Sequence, residues 1–183
     1  GWTMVPSFHP DLVAGVASYA LELFGAAPDL HTVYVPIGLG SGACGLVAAR
    51  DALGGATRIV GVVSTGAPAY ALSLAAGQPL SHAVSTQLAD GMACSTPDPD
   101  ALAMLQRGLH GVVQVSDAEV AAAMRQLFET THQVAEGAGA AALAAAWQQR
   151  DANAGQRVGL ILSGGNVDRS VYAQALAGAA FPE

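Results

Sequence analysis

Four short apolar runs, TVYVPI (Thr32–Ile37), RIVGVV (Arg58–Val63), GVVQV (Gly111–Val115) and RVGLIL (Arg157–Leu162), set the strongest limit on how this chain can fold. Each is nearly continuous in hydrophobicity, the pattern of a parallel strand covered on both faces rather than one half exposed to water. Parallel strands need long crossovers, and the segments between the runs carry helical signals. Asp11–Phe24 lies between Pro10 and Gly25, Ala43–Leu53 stops at Gly54, and Pro68–Ala76 and Pro99–Arg107 are bounded by Gly or Pro. Ser116 and Glu119 form an S-x-x-E capping box for the longest helix, which places Val120, Met124, Leu127 and Phe128 on one face. Gly137 and Gly139 interrupt it, an Ala-rich helix runs on to about Arg150, and a last helix follows Asp168. The expected architecture is a single doubly wound α/β domain over residues 1–183, its mainly parallel sheet flanked by helices on both faces.

Composition narrows the function classes. Hydrophobic residues make up 52% of the 183 and charged residues 11%, enough for a large core. The net charge is −7, and the seven basic residues are scattered arginines, so no nucleic-acid partner is expected. No apolar run reaches the roughly 20 residues that span a bilayer; the nearest, Ala138–Trp147, is Ala-rich and short. GWTMVPSFHP has no basic region followed by an apolar core, so no signal peptide is expected. Cys44 and Cys94 lack metal-type spacing and read as buried thiols in a reducing cytoplasm. His9, His31, His82, His110 and His132 show no ligand spacing either.

The first run ends in a glycine cluster, YVPIGLGSGACG, followed by a helix. Strand, glycine turn and helix suit an anion, because glycines admit positive φ and close approach to backbone N–H groups, and the helix dipole adds positive potential. Gly40, Gly42 and Gly45 satisfy G-x-G-x-x-G, yet a dinucleotide would need an acid at the end of the next strand. Val63, Ser64 and Thr65 stand there, and Asp51 lies inside the intervening helix. A monophosphate cradle fits better, a tight strand–helix turn being the alternative. A second cluster, Ser163–Gly164–Gly165–Asn166, follows the last run. In a parallel sheet both loops open onto the same edge.

With Ala89–Asp90–Gly91 and Glu136–Gly137–Ala138–Gly139–Ala140, these motifs appear in the order seen in one family. The chain resembles the C-terminal half of the serine/threonine dehydratases, fold type II pyridoxal-phosphate enzymes that include threonine dehydratase and serine racemase. The resemblance implies pyridoxal 5'-phosphate as cofactor. It assigns the phosphate to the amides of Gly38, Leu39, Gly40, Ser41 and Gly42, and the pyridine nitrogen to the Ser163 hydroxyl. It sets Glu136 near the ring, as the one candidate catalytic side chain; a helix-end carboxylate bonded to backbone amides is the other reading of that residue. Asp90 is expected to cap a turn.

Departures from the family pattern matter equally. Leu39 and Ser41 replace glycines of the usual loop, and Leu39 is expected to keep an ordinary φ. Gly137 replaces a proline, which would loosen that turn. Val63 and Ala69 stand where some relatives carry metal-binding acids, so no metal is expected. The basic residues are Arg50, Arg58, Arg107, Arg125, Arg150, Arg157 and Arg169, so the sequence holds no lysine to bind the cofactor covalently. In the family that Schiff-base lysine and the loop for the substrate carboxylate belong to the N-terminal half. The resemblance therefore implies the larger part of an ammonia-lyase for a small β-hydroxy amino acid, inactive alone and partnered by a missing N-terminal half in a homo-oligomer. An amino-acid racemase of the same family and a non-catalytic remnant that binds a phosphate ligand or a partner are the alternatives.

Overall fold

The computed structural model describes residues 2, 4 and 6–181; the remaining terminal positions of the expected 1–183 domain lie outside the described residues. Strands β1 (Thr32–Pro36), β2 (Arg58–Ser64), β3 (Gly111–Val115) and β4 (Val158–Leu160) form one sheet in the order β3-β2-β1-β4, every pairing parallel. Side chains alternate across the strands and feed two cores. Val33, Val35, Ile59 and Val63 pack beneath α1 (Pro10–Val16), α2 (Ser18–Ala26), α3 (Ser41–Ala52), α4 (Ala69–Ala76) and α5 (Pro99–Gly108). Tyr34, Val60, Val62, Val113 and Val115 meet α6 (Asp117–Thr131), α7 (Gly137–Gln148) and α8 (Arg169–Leu176) on the other face. The doubly wound arrangement follows, since both faces of each inner strand are apolar.

The boundaries differ from expectation in four places. The longest helix ends at Thr131, with His132 turning the chain at φ 57°, so Gly137 and Gly139 do not interrupt it but lie inside α7. Asp11–Phe24 is two helices broken at Ala17, where the backbone crosses α3; a Cβ on Gly45 would lie 3.2 Å from the Ala17 Cα. The fourth strand keeps only three of its six expected residues. Ile161 still donates to the Tyr34 carbonyl at 3.0 Å, after which the chain leaves the sheet and crosses the start of α7, where Glu136 N–H reaches the Gly164 carbonyl at 3.1 Å. A short 3₁₀ turn over Asp90–Met92 was not expected. The Ser116–Glu119 capping box forms as expected, and Ala-rich α7 is buried along most of its length.

Candidate active site

Beyond Pro36 the chain leaves the C-terminal edge of the sheet and enters α3 through Gly40, whose φ of 100° only glycine adopts without strain. Leu39 keeps an ordinary φ, as expected, because the left-handed step falls on its neighbour. Among the described residues, the backbone N–H groups from Gly38 to Ala43 donate to no protein acceptor. Two carbonyls of the same loop are held by tyrosines: Tyr70 Oη donates to Leu39 O at 2.7 Å and Tyr19 Oη to Gly42 O at 2.8 Å. In a planar peptide the N–H points opposite the carbonyl, so these bonds turn the amides of Gly40 and Ala43 away from the tyrosines. A row of free amides at the positive end of a helix calls for an oxyanion.

The other glycine motifs lock onto this loop and onto one another. A Cβ on Gly38 would overlap the Gly91 carbonyl, one on Gly139 the Gly164 carbonyl, and one on Gly137 the Leu88 carbonyl. At Gly164 it would come within 2.5 Å of Glu136 Oε1, and at Gly165 within 2.6 Å of Val134 O. The glycines are thus approach surfaces between backbones. Gly137 does not loosen its turn as expected: it lets the start of α7 press directly on the Leu88–Ala89 backbone.

These loops enclose a cavity of about 580 Å³, lined by Gly38 through Gly42, Gly91, Glu136 and Ser163, with Tyr19 and Leu162 among its walls. Ser163 is exposed and its hydroxyl has no partner among the described residues. Asp168 occupies the N-cap position of α8, so Ser163 is free of that duty. Glu136 sits at the N-cap of α7, yet its carboxylate takes no capping bond and stands half-buried beside Gly91 and Gly164. The reading of Glu136 as a carboxylate tied up by backbone amides is therefore not what the geometry shows. Asp90 does not cap its turn either; it is exposed, and the turn is closed by backbone bonds Met92 N–H to Ala89 O and Ala93 N–H to Asp90 O, both 2.9 Å.

Behind the loop, Cys44 Sγ faces Ala101 O at 3.7 Å, and burial pushes its thiol up to about 12. Burial likewise raises Tyr19 and Tyr70, keeping both hydroxyls protonated donors. Both cysteines are free. Among the described residues, no group of three His, Cys, Asp or Glu side chains could hold a metal ion, and no helix is long and apolar enough to cross a membrane. Sequence reasoning missed Asp117. Its buried carboxylate accepts from Thr86 Oγ1 at 2.6 Å, Gln87 N at 2.7 Å and Leu88 N at 3.2 Å, anchoring the loop that delivers Gly91 to the cavity. Its only sequence signal was its place beside the Ser116 cap.

Fold and site together define a parallel α/β domain with a row of unpaired amides at its strand ends and a serine hydroxyl and a carboxylate across the same cavity. A family model described as pyridoxal-phosphate dependent enzyme matches residues 1–164, and the chain belongs to that family. It is 35% identical over 181 residues to a putative threonine dehydratase of Sinorhizobium fredii, covering 97% of this chain and 54% of the relative. The processed form of threonine deaminase isoform 2 from Solanum lycopersicum superposes with a TM-score of 0.89 at 26% identity, covering 97% of this chain and 52% of that one. Maize serine racemase superposes at 0.81 with 28% identity, over 90% of this chain and 51% of that one. The chain thus spans about half the length of these relatives. The family's cofactor fits the residues present: the unpaired amides suit a phosphate, and the unpaired Ser163 hydroxyl stands at the rim of a cavity roomy enough for a ring.

Proposed function

We propose that this chain is the phosphate- and ring-binding part of a pyridoxal-phosphate-dependent ammonia-lyase that converts a small β-hydroxy amino acid, such as threonine or serine, to a 2-oxo acid and ammonia. The run of acceptor-less amides from Gly38 to Ala43 carries the reading. Pyridoxal phosphate supplies the electron sink for loss of an α-proton when it is bound. The chain's own residues bind and orient. Loop amides take the phosphate, with Tyr19 and Tyr70 keeping the loop carbonyls turned aside. Ser163 offers a neutral hydroxyl to the pyridine nitrogen, which does not force its protonation as a carboxylate would. A neutral partner there would moderate the electron sink that the bound ring supplies. Glu136 faces the same cavity and orders hydrogen bonds or water beside the ring. Val35, Ile161 and Leu162 form its apolar wall.

The amine that holds the cofactor covalently, and that would take the α-proton, must come from outside this lysine-free sequence. In our reading it belongs to the portion of the family fold that the chain does not span. Racemase activity is the second reading, supported by the likeness to serine racemase. The test is to add pyridoxal phosphate to the chain, reduce with borohydride and map adducts by mass spectrometry. Reversible binding with no pyridoxyl group on an internal side chain is expected. An internal adduct would overturn the assignment of roles. Once the chain is joined to a lysine-bearing N-terminal half, release of 2-oxo acid against inversion of the substrate separates lyase from racemase.

A further inference from the structure

A second cavity, about 590 Å³, opens at the opposite edge of the sheet, beneath the starts of β1, β2 and β3. It exists because α7 stops at Gln148 and leaves the first residues of those strands uncovered, while Gly111 adds no side chain to fill the gap. Tyr34 and Val60 pack into the core under α7, so Thr32 and Arg58, two residues earlier and register partners, project on that same face. His31 and His110 immediately precede β1 and β3 and are fixed by their backbones, with His31 N–H to Arg157 O at 2.9 Å and His110 N–H to Ile59 O at 2.7 Å.

The floor is built and satisfied. Tyr34 Oη donates to Gln149 Oε1 at 2.6 Å and accepts from Asn153 Nδ2 at 3.0 Å. His31 Nδ1 is engaged with Thr32 Oγ1 at 2.8 Å. What remains is a set of polar nitrogens open to a ligand. The Arg58 guanidinium, His31 Nε2, the His110 ring and the Gln149 side-chain nitrogen have no partner among the described residues. Asp151, the one carboxylate in the lining, has its side chain 97% exposed and lies 3.9 Å from Arg150, so water and that cation screen it.

We propose that this cavity is a second phosphoryl-binding site, separate from the cofactor cradle, with Arg58 as its ionic anchor. A guanidinium fork takes two oxygens of an oxyanion, and imidazoles on neighbouring strand starts approach from other directions, which suits a tetrahedral group. The volume exceeds that of one phosphate and falls in the range of small-metabolite sites. The phosphoryl group comes from a phosphate monoester or from free phosphate, and the two are separable by experiment.

The test takes the isotope-labelled chain, assembled with an unlabelled N-terminal half of a threonine dehydratase relative and free of cofactor, and titrates it with inorganic phosphate, with glycerol phosphate and with acetate, at constant ionic strength in chloride, following amide and imidazole resonances by NMR. Saturable shifts at Arg58, Gly111, His31 and His110 are expected with both phosphates and not with acetate. Tighter binding of glycerol phosphate assigns the site to an ester, and equal binding assigns it to free phosphate. Arg58→Gln should weaken this set by about ten- to hundredfold while leaving shifts at Gly38–Ala43 unchanged. Arg58 is exposed, so the variant should keep its amide dispersion. Shifts confined to Gly38–Ala43 would overturn this site and leave the cofactor cradle standing; shifts only at the second site would do the reverse. An equal response to acetate, or indifference to Arg58→Gln, would also overturn it.

Discussion

Gly40 makes the turn from strand to helix at φ 100°, and a Cβ there would sit 3.0 Å from Tyr70 Oη and 3.1 Å from Ala101 Cβ. Gly40→Val therefore strains the backbone and displaces the hydroxyl that holds Leu39 O aside. Losing one or two charge-assisted hydrogen bonds, each worth about 1.5–3 kcal/mol, should weaken cofactor affinity by roughly ten- to ten-thousand-fold. Excess cofactor should partly restore activity in an assembled enzyme. Ser163→Ala should instead alter the cofactor's absorption spectrum and turnover more than its retention, because the phosphate anchor is untouched. Equilibrium dialysis and spectra of the two variants check both. Unchanged affinity in Gly40→Val with lost affinity in Ser163→Ala would move the phosphate elsewhere. The buried groups behind the loop add a pH signature. Cys44, held neutral to about pH 12 when folded, loses its proton near 9 when unfolded. Its contribution is therefore complete below pH 9 and declines as pH rises toward 12, by up to about 1.4 kcal/mol per pH unit. Tyr19 and Tyr70 act in the same sense above pH 10. Urea midpoints should be flat from pH 7 to 8.5 and fall at higher pH; a midpoint level to pH 11 would mean that these groups titrate normally when folded.

Helix α7 connects the motifs. Its N-cap places Glu136 at the cavity, and Gly137 and Gly139 bring it against the Leu88–Ala89 and Gly164 backbones. Gly139→Ala should force α7 and the Ser163–Asn166 loop apart, lowering stability by about 1–3 kcal/mol. The nearest atom is a backbone carbonyl that cannot rotate away. Thermal unfolding measures the loss, and displaced Gly164 and Gly165 resonances would locate it. A wild-type melting temperature would refute the interlock. The motifs themselves were legible in the sequence, as were the four apolar runs and the Ser116–Glu119 cap, because each is a local pattern with a local cause. What glycine meets is not local. Nothing in EGAGA announces that Gly139 faces Gly164, so the replacement of proline by Gly137 read as slack when it is contact. The break at Ala17 was hidden for the same reason, set by Gly45 on another helix. The shortening of β4 depends on where the chain must go next, and Asp117 depends on a loop 30 residues away.

Across the whole molecule, the sheet is protected unevenly. Inner strands β1 and β2 are paired on both sides, whereas β4 pairs only with β1 among the described residues and ends after three residues. Leu160 and Leu162, exposed 39% and 40%, lie at that edge, and Val16 and Leu39, exposed 38% and 41%, line the candidate-site cavity with Leu162. Open edges and contiguous apolar patches mark surfaces that another chain segment covers. On the proposed function, the segment that covers them is the lysine-bearing portion of a relative about half of whose length this chain spans. The chain produced alone should therefore self-associate, as seen by light scattering. Co-expression with the N-terminal half of a threonine dehydratase relative should give a soluble complex that retains pyridoxal phosphate in borohydride-reducible form on that half's lysine. Leu160→Asp should weaken the complex while leaving the described core intact, since its side chain is not part of either buried cluster. If the chain alone were instead a monodisperse monomer that unfolds cooperatively and ignores the added half, it would be an independent phosphate-binding domain rather than part of a lyase.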